Sequence, residues 1–102
     1  MVRARAVLHE KVIDERGNIM ELAIWQVSAT DQCPQGVRYR LAFVLRGTGE
    51  PAVLYDNHHP KGHHRHIEGI EEPYAFTDVD ELLSDFVSHV RRITGDETWP
   101  RR

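Results

Sequence analysis

The amino-acid sequence predicts an α+β fold, in which a curved antiparallel β-meander of about four strands packs against one C-terminal amphipathic helix. Two observations lead to this prediction. Short apolar segments with a two-residue period alternate with turn-forming residues over the first half of the chain. Near the end, one segment repeats its apolar residues at helical spacing. With 102 residues, the chain has room for one hydrophobic core, so we expect a single domain over residues 1–102.

The first two predicted strands form a hairpin. Residues 3–13 are rich in valine, isoleucine and alanine, and they lead into residues 14–18, where glycine and asparagine favour a chain reversal. Residues 19–27 carry apolar side chains on both faces, which is typical of a central strand. We therefore expect the second strand inside the sheet and the first strand at an edge, followed by a loop at residues 30–36.

The third predicted strand, residues 37–46, has the clearest pattern in the chain. Its apolar and arginine side chains alternate with a period of two, so one face should be buried and the other exposed. A turn at residues 47–50 leads to a short fourth strand, residues 51–56, which we expect at the second edge of the sheet. The alternating residues are Val37, Tyr39, Leu41, Phe43 and Leu45 on one side and Arg38, Arg40 and Arg46 on the other.

Residues 57–69 contain one proline and two glycines among their histidines, which predicts a loop or irregular edge structure rather than a regular element. A helix follows, with Thr77 as the expected N-cap and Asp80 three residues later, close to a capping box. Gly95 should end the helix and Pro100 mark the tail. The apolar residues at helical spacing are Val79, Leu82, Leu83, Phe86, Val90 and Ile93.

The composition excludes several classes of protein. Cys33 is the single cysteine, so the chain can form neither an internal disulfide nor the paired thiolates of a zinc finger. No apolar run approaches about 20 residues, and the N-terminus is charged where a signal peptide is apolar. We therefore expect a cytoplasmic protein without membrane contact. The net charge is −3, but residues 1–66 carry nine Lys or Arg against seven Asp or Glu, so this part could meet a phosphate backbone.

Histidines are concentrated in one short stretch. Five of the seven lie within nine residues that also contain Lys61 and Arg65. An imidazole has an ordinary pKa of about 6.5, so it can both accept and release a proton near neutral pH. Lysine and arginine can hold a phosphate and neutralise charge that develops on it. The five histidines are His58, His59, His63, His64 and His66.

Three interpretations compete for this stretch. The first is an exposed polar loop without chemistry. The second is a metal site, because His64 and His66 would project to the same side of an extended segment, with Asp56 or another histidine as third ligand. The third is acid–base catalysis on RNA, in which one group deprotonates the 2′-hydroxyl and another protonates the leaving oxygen.

A longer pattern surrounds the histidines. It comprises Tyr55-Asp56-Asn57, Lys61-Gly62, His63-His64-Arg65-His66, Glu72-Pro73-Tyr74 and Phe76, with Leu8-His9-Glu10-Lys11 and Tyr39-Arg40-Leu41 before them. In these residues the chain resembles the TumE family, small toxin components of prokaryotic toxin–antitoxin modules. The chain departs from the family pattern at Pro60 and at His58-His59. The resemblance implies a toxin with a cognate antitoxin that carries a helix-turn-helix DNA-binding domain.

The histidine stretch and the resemblance together lead to the hypothesis of a toxin that is a metal-independent endoribonuclease without a cofactor. Two histidines would act as general base and acid in either order, Asp56 would orient one of them, and cations would hold the scissile phosphate. The candidate catalytic residues are His64, His66, His63 and Asp56, and the candidate substrate-binding residues are Lys61, Arg65, Arg40 and Tyr55.

Two other functions remain open from the sequence. The domain could be a non-catalytic module that binds a cellular target or its antitoxin, or a metal-dependent hydrolase with histidine ligands. The expected partners are the antitoxin and RNA as substrate, and a homodimer with a second copy is left open. An edge strand, either residues 3–13 or residues 51–56, could accept a strand from a partner.

Overall fold

The computed structural model describes residues 4–58 and 60–99, and it shows a six-stranded antiparallel sheet with one helix. The strands lie in the sheet in chain order, so each pairs with the next. This confirms the α+β class and the meander, but the predicted four strands become six. The elements are β1 (Arg5–Ile13), β2 (Ile19–Gln26), β3 (Val37–Val44), β4 (Pro51–Asp56), β5 (His64–Ile67), β6 (Ile70–Pro73) and α1 (Val79–Thr94).

Of the two additional strands, β5 lies within residues 57–69, for which we predicted a loop or irregular edge, and β6 follows directly after that segment. β5 pairs with β4 on one side and with β6 on the other, and a tight turn at Glu68 and Gly69 joins β5 to β6. Both turn residues have positive φ, 49° and 86°. The prediction failed because β5 has four residues, three of which are histidine or arginine, so no apolar alternation marks it.

The edges of the sheet are β1 and β6. β2 lies inside the sheet as predicted, but β4 lies between β3 and β5, so the expectation that it forms an edge was wrong. Both edges expose apolar side chains: Val7 and Ile13 on β1 are 55% and 58% exposed, and Ile70 on β6 is 69% exposed. Arg3, which the predicted first strand included, lies outside the described residues.

The two faces of the sheet differ. One face, which we call the covered face, packs against α1 and forms the hydrophobic core, as in the ring of Tyr55 against that of Phe86. The opposite face, the open face, carries no helix within the described residues, and it exposes Arg38 and Arg40 as predicted. The strand registers place one row of open-face residues side by side across the sheet: His9, Ala23, Arg40, Asp56, His64 and Pro73.

The N-cap of the helix lies one residue later than predicted. Asp78, not Thr77, is the N-cap, and its carboxylate accepts a hydrogen bond from the backbone N–H of Glu81 at 2.8 Å. Gly95 ends the helix as predicted, because its left-handed φ of 69° lets its N–H donate to the carbonyl of Arg91 at 2.9 Å. This helix is too short and too polar to cross a membrane, and it is the one helix of the described residues.

Trp99, at the end of the described chain, contacts the turn between the first two strands. Trp99 is buried, packs edge-on against Phe43 at 5.3 Å, and donates its indole N–H to Asp14 at 3.2 Å. Asp14 lies in the β1–β2 turn, where it also accepts hydrogen bonds from the backbone of Arg16 and Asn18. The tail therefore supports the first hairpin. Pro100, the predicted tail marker, lies outside the described residues.

Candidate functional site

Two of the predicted catalytic histidines lie side by side on the open face. His64 and His66 are two residues apart on β5, and their ring centroids are 5.4 Å apart. Strand β6 places Glu71 directly opposite His66, with 3.5 Å between the Glu71 carboxylate and Nε2 of His66. The ammonium of Lys61 contacts the same carboxylate oxygen at 2.6 Å. We call these four residues the histidine cluster.

The protein fixes the orientation of the His64 ring. Nδ1 of His64 lies 2.8 Å from the carbonyl oxygen of Gly62, and His64 is 8% exposed. A carbonyl can accept but not donate, so Nδ1 carries the proton and Nε2 is left with a free lone pair in the neutral ring. This nitrogen can therefore accept a proton from a substrate or ligate a metal ion.

Lys61 sets the charge of the cluster. Its hydrogen bond holds the pKa of the exposed Glu71 carboxyl below its usual range, so Glu71 is an anion at neutral pH. This anion separates the ammonium from the two imidazoles. The cluster is thus a small polar array of alternating donors and acceptors rather than a patch of positive charge.

Asp56 and Arg40 lie beside the cluster in the same row of the open face. Asp56 is the cross-strand partner of both Arg40 and His64. Its carboxylate accepts the backbone N–H of His58 at 2.5 Å, the local turn contact that aspartate often makes. The bond from Asp56 to a histidine ring that we predicted is not among those formed by the described residues. His59 lies outside the described residues.

Arg65 and Tyr55 point to the other face. Successive residues of a strand alternate between faces, so Arg65 lies on the covered face although both of its neighbours belong to the open face. Arg65 pairs with Glu72 at 2.5 Å and donates to the hydroxyl of Tyr55 at 3.2 Å. That hydroxyl forms a 2.5 Å hydrogen bond with Nδ1 of His89 on the helix. The structure therefore separates these two predicted substrate-binding residues from His64 and His66.

The charge states within this second group are fixed by burial and by Arg65. Burial raises the pKa of Tyr55 and lowers that of His89, which lies near the Arg65 charge as well. Burial alone would lower the pKa of Arg65, but its hydrogen bonds to Tyr55 and Glu72 more than offset this effect. A neutral tyrosine and a neutral histidine therefore lie beside a charged Arg65–Glu72 pair within the sheet, and the hydrogen bond between Tyr55 and His89 joins the sheet to the helix. We call Tyr55, Arg65, Glu72 and His89 the helix anchor.

His63, the third predicted catalytic histidine, is held at both ring nitrogens. Nε2 contacts the amide oxygen of Gln35 at 3.1 Å, and Nδ1 contacts the hydroxyl of Tyr39 at 2.9 Å. Its ring stacks on Phe76, with 4.8 Å between centroids. Burial lowers the pKa of His63, and the neighbouring His64 adds to this effect. These contacts make His63 a neutral packing residue that anchors the start of β5.

Two residues of these groups were missed from the sequence. Glu71 joins the histidine cluster through the β5–β6 pairing, so it could be found only after that hairpin was known. His89 is the single histidine of the helix, and the sequence gives no sign that its ring faces Tyr55. An apolar alternation across β5 would have revealed the hairpin, but β5 has none.

Comparison with known proteins gives one match. The family model described as Toxin TumE matches residues 2–94, which is most of the chain. This interval contains the histidine cluster and the helix anchor. No curated protein and no solved structure matches the chain.

Proposed function

The chain belongs to the TumE toxin family, and from this premise we propose that it is the toxin of a type II toxin–antitoxin module and a metal-independent endoribonuclease. The observation that supports cleavage is the histidine cluster: two imidazoles lie edge-to-face on the open face of the sheet, and the orientation of His64 leaves Nε2 without a hydrogen-bond partner among the described residues. Acid–base catalysis needs two such groups on either side of a reacting phosphate.

The proposed reaction is transfer of the phosphodiester to the neighbouring 2′-oxygen. One imidazole accepts the proton of the 2′-hydroxyl as its oxygen attacks phosphorus. The other imidazole donates a proton to the departing 5′-oxygen, so the bond from phosphorus to that oxygen breaks. The products are a 2′,3′-cyclic phosphate and a free 5′-hydroxyl, and no metal or oxidant is required. Either histidine could take either role.

Two cations can support the phosphate at this position. The side chain of Lys61 is 59% exposed, and its ammonium would exchange its contact with Glu71 for a phosphate oxygen. Arg40 lies in the same row as His64, two strands away. Arg65, which lies on the covered face, has no part in the proposed phosphate site and instead links β5 to Tyr55 on β4 and Glu72 on β6.

Single substitutions of the histidines test this proposal. We expect His64→Ala and His66→Ala to abolish growth inhibition in cells that express the chain. In purified protein they should slow RNA cleavage by about 10²- to 10⁴-fold, the usual contribution of a general acid or base. His9→Ala is the matched control, because His9 is an exposed histidine on β1, and this variant should remain toxic.

Folding is monitored by circular dichroism and thermal melting in all three variants. If both cluster variants remain folded and fully toxic, the catalytic assignment fails. If wild-type protein inhibits growth but cleaves no RNA with or without added metal, the protein acts by binding, which is the non-catalytic alternative.

A metal-dependent hydrolase is the second candidate, and a specific observation favours it. His64, His66 and Glu71 each offer one ligand atom, and the three atoms lie within 4.8 Å of one another. Two histidines and one glutamate are a ligand set of catalytic zinc sites. The cleavage assay separates the two candidates: protein treated with a chelator keeps its activity if histidine acid–base chemistry operates, and regains activity only with added Zn²⁺ or Mn²⁺ if a metal is required.

The antitoxin is the partner that membership of a toxin family suggests. We propose that it carries a helix-turn-helix domain, that the module operates in the cytoplasm, and that an edge strand is its docking position. β1 and β6 both offer unpaired backbone groups and exposed apolar side chains, at Val7, Ile13 and Ile70. A homodimer through one edge would leave the other for the antitoxin.

A further inference from the structure

A shallow groove crosses the open face next to the histidine cluster. Its volume is about 190 Å³. Trp25 and Arg38 are direct cross-strand partners at one end, and Arg40 pairs with Asp56 at the other. We call it the tryptophan groove. Besides Tyr39, the residues that line it are Ala23, Trp25, Arg38, Arg40, Asp56 and His58.

The strand registers connect this groove to the cluster without a break. Ala23, Arg40, Asp56 and His64 occupy neighbouring strands in one row. With adjacent strands about 4.8 Å apart, three spacings give about 14 Å from Ala23 to His64. A short stretch of extended chain laid across the strands would therefore contact both the groove and the cluster.

The groove offers two kinds of contact that suit a single nucleic-acid strand. Arg38 and Arg40 are exposed, and among the described residues neither has an ion-pair partner, in contrast to Lys61 and Arg65. Trp25 is half-buried on the open face, and its ring contacts His9 with 5.9 Å between the ring centroids. A guanidinium without an ion-pair partner binds phosphate oxygens, and a partly exposed indole stacks with a base.

We infer that the tryptophan groove binds single-stranded RNA and leads it to the histidine cluster, with a base stacked on Trp25 and backbone phosphates on Arg38 and Arg40. The strand must be single because a base within a duplex is already stacked on its neighbours. The role of the groove as a path to a cleavage site rests on the proposed function. RNA binding by the groove does not depend on cleavage.

Binding is measured with a fluorescent single-stranded oligoribonucleotide whose 2′-hydroxyls are methylated, so that the proposed reaction cannot occur. Trp25→Ala should weaken binding by about 5- to 100-fold, the usual cost of one lost base stack, and Trp25→Phe should restore most of it. Arg38→Ala with Arg40→Ala should lower the slope of log K against log salt by about 1.4, since each phosphate contact on a single strand contributes about 0.7. Arg16→Ala, an exposed arginine of the β1–β2 turn, is the control.

The inference is overturned if the groove variants bind this probe as tightly as the Arg16→Ala control, or if wild-type protein does not bind it. These outcomes differ from failure of the proposed function. A wild-type protein that binds RNA through the groove but cleaves none would retain the inference and lose the nuclease. If the protein cleaves RNA and the groove variants cleave it as efficiently as wild type, the nuclease is retained and the inference about the groove fails.

Discussion

The two faces of the sheet divide one sequence motif between two tasks. His64 and His66 lie on the open face. There, Nε2 of His64 forms no hydrogen bond with another residue of the histidine cluster. Arg65, between them, lies on the covered face and is paired with Glu72 and Tyr55. Residues that are adjacent in a strand do not converge on one point, because the strand turns successive side chains to opposite sides. Consecutive polar residues in a strand are therefore divided between the two faces of the sheet, as the two histidines are from Arg65.

The comparison predicts the largest change in stability at neighbouring residues of β4. Tyr55 is fully buried on the covered face, with Tyr74 and Phe86 against its ring, so Tyr55→Ala should lower the free energy of unfolding by about 3–5 kcal/mol. Leu54, half-buried on the open face, should cost about 1 kcal/mol when replaced by alanine. Urea denaturation measures both, and equal losses would contradict the division between the faces.

A smaller change separates stability from toxicity. Tyr55→Phe keeps the ring but removes the hydroxyl that contacts Arg65 and His89, and leaving these groups without a partner should cost about 1–3 kcal/mol. Growth inhibition should persist in this variant. His66→Ala should do the reverse, with stability within about 0.5 kcal/mol of wild type and toxicity lost. A folded Tyr55→Phe variant without toxicity would place the helix anchor in the active site.

The smallest expected effect is a loss of stability in mild acid. Burial lowers the pKa of His63 and of His89, so the unfolded chain binds protons first as the pH falls below about 6.5. The contribution of both residues to stability is therefore complete above that pH and declines below it, towards their lowered folded values. His63→Gln should flatten this decline in urea denaturation at pH 7.5 and 5.5, whereas His9→Gln should not. An unchanged decline in His63→Gln would show that His63 is not held neutral.

Most of the sheet was predictable because its strands obey simple alternation. β3 buries Tyr39, Leu41 and Phe43 and exposes its arginines as the pattern required, and β4 has the predicted bounds. The helix was predicted within about one residue at each end, because its apolar spacing and Gly95 are local signals. The N-cap was misplaced by one residue, because threonine and aspartate are both good caps and the sequence has them side by side.

The residues of the candidate site were harder to predict from the sequence than the fold. The motif pointed to His64, His66 and Lys61, and these three are the predicted residues that the structure brings together. Arg65, Tyr55 and His63 are instead tied into packing, and Glu71 was absent from the prediction. Whether a side chain faces solvent or the helix depends on strand register, and register is a property of pairs of strands that one segment cannot reveal.

The position of Trp99 near the end of the chain affects the order of folding during synthesis. Asp14, in the first turn of the sheet, takes a hydrogen bond from a residue 85 positions further along. A nascent polypeptide emerges from the ribosome N-terminus first, so the first hairpin must exist without this support until synthesis is nearly finished. A truncation ahead of Trp99 removes both the hydrogen bond to Asp14 and the edge-on contact with Phe43.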